Sequence, residues 1–185
     1  MPLQNSSSRF GSISRFFHWS IALLFLYQYL GANIMTRLGK GALFGMDANF
    51  FYNWHKSIGL LIAALVIGRL IWRVISTLPD WHEHLTTIDQ RITKRLETTL
   101  YILMFLLPIT GYLFVMAGGY GIKLFGIYDL TNPIGKQPSW SWAVWTLHVA
   151  FAYAALIVIA WHVGLMLRKH FFERSGILNR MLPFR

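Results

Sequence analysis

A chain of 185 residues that is 55% hydrophobic has only 13% charged residues, where an ordinary soluble domain carries about 25%, which places it among membrane proteins. It has no cysteine, so disulfides, iron–sulfur clusters, thiolate-ligated haem, covalent c-type haem and cysteine-based zinc sites are excluded. The net charge of +10 comes with no recognition-helix or RNA-binding signature, and the basic residues flank apolar runs instead, so no nucleic-acid partner is expected.

The first apolar run, about residues 16–35, follows Arg9 and Arg15 and has His18 near its start. It is long for the hydrophobic region of a signal peptide and no small-x-small cleavage site follows, so it reads as a retained span. The second, about 53–75, opens with His55 and includes Arg69. "STLPDWHEH" then stops that helix with Pro79, and Asp89 suits the first turn of a helix leading into the third run, about 96–117. Pro108 is expected to kink this helix, with Gly111 easing close packing. "GGYGIKLFGIYDLTNPIGKQPSWSW" is long enough to fold over one end of a bundle, with Tyr128, Trp140 and Trp142 at headgroup level. The fourth run, about 143–167, contains His148 and His162.

Each run is near the ~20 residues a membrane helix needs, and lipid leaves no partner for unpaired backbone. The expected fold is therefore all-α: an integral membrane four-helix bundle in a lipid bilayer, one domain over residues 1–185. Eleven Lys and Arg residues lie in the two tails and the second loop: Arg9, Arg15, Arg73, Arg91, Lys94, Arg95, Arg168, Lys169, Arg174, Arg180 and Arg185. The first and third loops hold four, Arg37, Lys40, Lys123 and Lys136. Both termini are thus expected in the cytoplasm.

Of seven histidines, His82, His84 and His170 fall in polar segments and read as solvated surface residues. The other four lie inside apolar runs, where an ionisable group signals function. His18 and His162 lie near the cytoplasmic ends of their spans, whereas His55 and His148 lie near the outer ends. On the fourth helix His148 and His162 are fourteen residues apart. That is about 21 Å along the axis and about 40° around it, so both face the interior at two heights. Two imidazoles per level with no carboxylate nearby suit bis-histidine haem b better than zinc, non-haem iron or a di-iron centre. Gly59, one turn after His55, would let a porphyrin approach its helix, and Arg69 and Lys56 are candidates to pair with haem propionates. Met104 and Met116 are assigned to packing.

Taken together, "ISRFFHWSIALL", "NWHKSIGLLIAALVIGRLIWR", "YILMFLLPITG", the histidine pair of the fourth run and "RKHFFERSGILNRMLP" resemble the bacterial cytochrome b561 family along nearly the whole chain. The resemblance implies two b haems, ligated by His18 with His162 and by His55 with His148. It also implies electron transfer across the bacterial inner membrane as part of a respiratory chain, with quinone as a usual partner. One branch of that family oxidises superoxide at the outer face and reduces ubiquinone near the cytoplasmic haem. The chain departs from the family at Glu97 and Lys169, where histidines are common; His170 follows immediately. Three functions stay open at this stage: a transmembrane electron carrier between an outer donor (superoxide or a redox protein) and ubiquinone, a cytochrome b anchor subunit that relays electrons between quinol and a partner dehydrogenase, or a haem-free scaffold or transporter, which predicts no visible spectrum. A positive outer mouth formed by Arg37, Lys40, Lys56, Lys123 and Lys136 would concentrate superoxide, although ordinary loop charges account for the same residues.

Overall fold

A computed structural model describes residues 2–182; Met1, Arg185 of the basic count and the other ends of the expected 1–185 domain and closing segment lie outside the described residues. Four long helices dominate: α1 (Ser12–Arg37), α2 (Ala48–Ile75), α3 (Thr87–Gly118) and α4 (Pro138–Leu167). Each contains one apolar run and extends past it, because local capping chemistry decides where a helix starts and stops. The Asp47 carboxylate accepts from Phe50 N at 2.9 Å to start α2. Thr86 and Asp89 form a reciprocal capping box on α3, and Gly119, at φ 74°, closes that helix in the left-handed conformation that favours glycine. Pro138 opens α4, where its missing N–H is not needed. The α3 helix continues through Pro108.

Two hairpins add strand to a chain expected to be all-α: β1 (Ala42–Leu43) with β2 (Met46–Asp47), and β3 (Ile122–Leu124) with β4 (Tyr128–Leu130). Both lie in the loops at the end of the bundle expected to face outward. Gly45 and Gly126, at φ 76° and 75°, make their turns.

Helices α2, α3 and α4 are long and apolar enough to cross a membrane. Helix α1, at 26 residues, has the length, but Ser20, Tyr27, Gln28, Tyr29 and Asn33 dilute its apolar run. Large apolar side chains lie exposed along the outer faces, among them Leu23 at 63%, Ile71 at 56% and Ile157 at 66%. The buried core is small, built from Ile21, Ile58, Ile62, Val66 and Met104 where α1, α2 and α3 meet. A surface this apolar around so small a core suits lipid as the solvent. Helix α1 packs along α2, α2 on α3 and α3 along α4. By contrast, α4 makes only sparse close backbone contact with α1 and α2.

Both tails meet at the inner end. The buried Arg15 donates to Leu182 O at 3.0 Å, and Trp19 Nε1 to Met181 O at 2.9 Å. Arg180 reaches Ser8 O at 2.8 Å and Asp80 O at 2.7 Å, joining the 76–86 connection to both tails. Gly11 is required here by close approach, since a Cβ would sit 2.4 Å from the Gln4 backbone.

Lys169 departs from the picture of a solvated basic tail. It lies in a π-helical turn, Arg168–Phe172, that continues α4, and only 3% of its surface is exposed. Its ammonium is 2.6 Å from Asp89 and 2.7 Å from Glu173. Asp89 thus caps α3 and anchors the end of α4. Lys169→Met is expected to destabilise the protein by about 2–3 kcal/mol, because two carboxylates lose their buried partner. Asp89→Asn in the same background should recover part of that loss. Thermal unfolding in detergent checks both, and an unchanged midpoint for Lys169→Met would refute the role.

Candidate functional site

The four histidines expected to work together come from three helices, and all point into the bundle. His18 of α1 faces His162 of α4, with ring centroids 6.5 Å apart. His55 of α2 faces His148 of α4, with centroids 6.3 Å apart. These are the helix pairs with little other close contact, so the imidazoles face each other across a gap.

At the outer pair, α3 holds His148 in place. Its Nδ1 donates to Leu107 O at 3.0 Å and lies 3.1 Å from Thr110 Oγ1. A proton fixed on Nδ1 leaves the Nε2 lone pair free to bind a metal. Gly111 makes this approach possible: a Cβ there would be 3.0 Å from His148 Cε1. The expected easing of packing at Gly111 is therefore clearance for a ring. Gly59 opens space for Gln28, whose Nε2 donates to His55 O at 2.9 Å. Lys56 donates to Gly121 O at 3.0 Å and is tied to the outer loop. Ser57, beside it, accepts from Phe125 N at 2.8 Å, which fastens the β3–β4 hairpin to α2.

At the inner pair, Arg69 Nη2 lies 3.3 Å from His18 Nδ1. Gly68 lets Phe17 of α1 come close to α2 at this point, since a Cβ would meet its ring at 3.0 Å. Arg69 and Arg73 lie over the Tyr101 ring at 5.6 Å and 5.8 Å, and Arg73 pairs with Glu97 at 2.8 Å. Arg69, Trp72, Arg73, Glu97 and Tyr101 line a cleft beside this pair, with Phe10, Ser14 and Met181 also in its walls. The Tyr101 hydroxyl is buried with no hydrogen-bond partner among the described residues.

The remaining polar candidates land elsewhere. Met104 and Met116 are buried in apolar clusters. His84 is exposed, and its ring stacks on that of His82. His82 is half-buried; desolvation, with Arg180 beside it, pushes its imidazole below the ordinary value. His170 is also half-buried, and its Nδ1 is shielded without a partner among the described residues. The solvated reading thus holds for His84 alone.

The residues present fit haem b. With about 2 Å from nitrogen to metal and about 1.2 Å from nitrogen to ring centre, two imidazoles on opposite sides of one metal have centroids about 6.4 Å apart. The observed separations, 6.3 and 6.5 Å, bracket that figure. Among the described residues, no group of three or more His, Cys, Asp or Glu side chains gathers around a common point. A site offering two protein ligands suits a metal already held in the plane of a macrocycle. The Nδ1 atoms of His55 and His162 are buried without side-chain partners among the described residues.

Comparison with known proteins gives a consistent result. The chain matches prokaryotic cytochrome b561 over residues 9–184. It is similar to cytochrome b561 homolog 2 of Escherichia coli (strain K12), 29% identical over a 189-residue alignment covering 98% of this chain and 95% of that protein. It is also similar to cytochrome b561 homolog 1 of the same strain, at 20% identity, covering 96% of this chain and 99% of the other.

Gly111→Ala is expected to push the His148 ring off its Leu107 contact and disturb the outer pair while sparing the inner one. An absorbance spectrum of the purified variant that differs from wild type in haem signal or band position is the expected result. A spectrum identical to wild type would refute the clearance role.

Proposed function

The chain belongs to the prokaryotic cytochrome b561 family, and on that premise we propose that it is a dihaem b-type cytochrome moving electrons between an outer-face donor and quinone across the bacterial inner membrane. Family membership makes it a haem b-binding membrane electron-transfer protein. The finer reading is carried by one observation: α4 presents two imidazoles fourteen residues apart, each facing another helix's imidazole at 6.3–6.5 Å.

In this reading His18 and His162 hold the inner haem, and His55 and His148 the outer one. Arg69 is the residue that would pair with a propionate at the inner site. Bound haem b supplies one-electron redox chemistry, and the chain supplies placement and a low-dielectric surrounding. The Leu107 carbonyl fixes the His148 tautomer. The β3–β4 hairpin, fastened through Ser57 and Lys56, covers the outer end of α2 and limits water there. Helix α1 serves as the fourth span, and the basic inner end, where both tails meet, lies in the cytoplasm.

The cleft beside the inner pair is where quinone is proposed to bind. Trp72 and Tyr101 offer aromatic surface to its ring, and Arg69 and Arg73 offer donors to its carbonyl oxygens. Quinone reduction takes up protons, and the Tyr101 hydroxyl is a group in the cleft able to deliver one; the Glu97 carboxylate, paired with Arg73, can pass one on only after taking it up from the inner side. At the outer face Arg37, Lys40, Lys123 and Lys136 give the donor side a positive bias suited to superoxide or to an acidic redox protein.

A redox-titrated spectrum with haem stoichiometry should show two low-spin b haems per chain. His148→Ala should remove the outer haem and His162→Ala the inner one; a colourless protein, or loss of both haems in each variant, would overturn the assignment. Tyr101→Phe should leave both haems in place and slow quinone reduction roughly tenfold, about the effect of one lost hydrogen bond. An unchanged rate would remove Tyr101 from the quinone site.

A further inference from the structure

Most cations at the inner end are spent on the protein itself. Arg9 and Arg15 bind carbonyls of the closing segment, and Arg180 holds Ser8 O and Asp80 O. Arg73 pairs with Glu97, Arg168 with Glu173, and Lys169 with Asp89 and Glu173. Arg91, Lys94 and Arg95 differ. All three are exposed on the first turns of α3. Among the described residues, none of their side chains takes part in an ion pair. The acids nearest them on the helix, Asp89 and Glu97, are already committed to Lys169 and Arg73, so this face carries uncompensated positive charge.

Its depth is that of the lipid phosphates. Helix α3 starts at Thr87, whereas its apolar run starts at about residue 96. At 1.5 Å per residue, Arg95, Lys94 and Arg91 lie about 1.5, 3 and 7.5 Å beyond the end of that run. The headgroup layer occupies about 5–8 Å on each side of the hydrocarbon. Helical side chains also lean towards the N-terminus, here away from the hydrocarbon, which lets long basic side chains reach the headgroups. The same stripe continues into the bilayer. Arg91, Arg95, Thr98, Ile102 and Ile109 fall within about 60° of one another around the helix, and Ile102 and Ile109 are 54% and 51% exposed. The opposite face, with Thr93, Leu96, Leu103 and Met104, is buried. Cations at one end of a stripe and branched apolar side chains along it match the outline of a phospholipid. We propose that this face of α3 binds an anionic phospholipid, with its phosphate on Arg91, Lys94 and Arg95 and an acyl chain along Ile102 and Ile109. Guanidinium groups suit phosphate oxygens by their paired donors, and a headgroup with its own ammonium would bring like charge to the same cations.

The experiment places full-length holoprotein in phosphatidylcholine nanodiscs and measures, by electron paramagnetic resonance, the immobilised fraction of spin-labelled phosphatidylglycerol against spin-labelled phosphatidylcholine. The wild-type protein should prefer the anionic lipid. Arg91→Gln, Lys94→Gln and Arg95→Gln combined should lower that preference by about fivefold per cation removed. Arg37→Gln, Lys40→Gln and Lys136→Gln combined, which remove equal charge at the other end, should lower it far less. If the α3 triple variant does not fold, Arg91→Gln and Arg95→Gln carry the test singly against Arg37→Gln. No preference in the wild-type protein, or equal loss from both sets of variants, overturns the proposal. Displacement of the labelled lipid by inorganic phosphate would mark a free-anion site and overturns it as well.

Discussion

The contact between His148 and the Leu107 carbonyl is the one on which the outer site depends. An imidazole in a membrane interior has two nitrogens to satisfy, and a backbone carbonyl of α3 takes the first. It can do so because Gly111 brings the ring against the helix, and because α3 and α4 pack closely along their length. Once Nδ1 is committed, the remaining nitrogen has one direction to face, towards α2. The close α3–α4 pairing and the sparse contact of α4 with α1 and α2 are then two sides of one arrangement: one neighbour fixes the rings and the others face them.

The ends of the bundle complete that arrangement by different means. At the outer end, short hairpins, the Ser57 hydroxyl and the Lys56 ammonium fasten loop to helix. At the inner end the fastening is ionic and covers more of the chain, with Lys169 between Asp89 and Glu173 and arginines of one tail bound to carbonyls of the other. The cleft lies next to that ionic end. Its walls come from α1, α2, α3, the connection after α2 and both tails, and the Arg73–Glu97 pair is part of its lining.

Much of this was legible in the sequence. Runs of apolar residues gave four helices, and the heights of four histidines within those runs sorted them into the two facing pairs. Both inferences need only period and length. The supporting contacts were hidden for identifiable reasons. Leu107 acts through its backbone, so its identity carries no signal. Lys169 reads as one more basic residue in a basic tail until Asp89, eighty positions earlier, is seen beside it. Gln28 stands among other polar residues of α1, and its contact with the His55 carbonyl could not be named without knowing which turn of α2 it meets. Helix ends ran past the apolar runs because Asp47, Thr86 and Gly119 set them through capping.

The clasp between the two tails bears on how the molecule is made. Arg15 cannot find Leu182, nor Arg9 the carbonyl of Asn179, until all four helices have been made. His18 likewise waits for His162, almost the length of the chain behind it. Helices α1 and α2 can pair early, but the His18–His162 pair forms only after α4 has been made. Assembly of this pair is therefore a late event, and the contacts of Arg9 and Arg15 with residues 179–182 follow it.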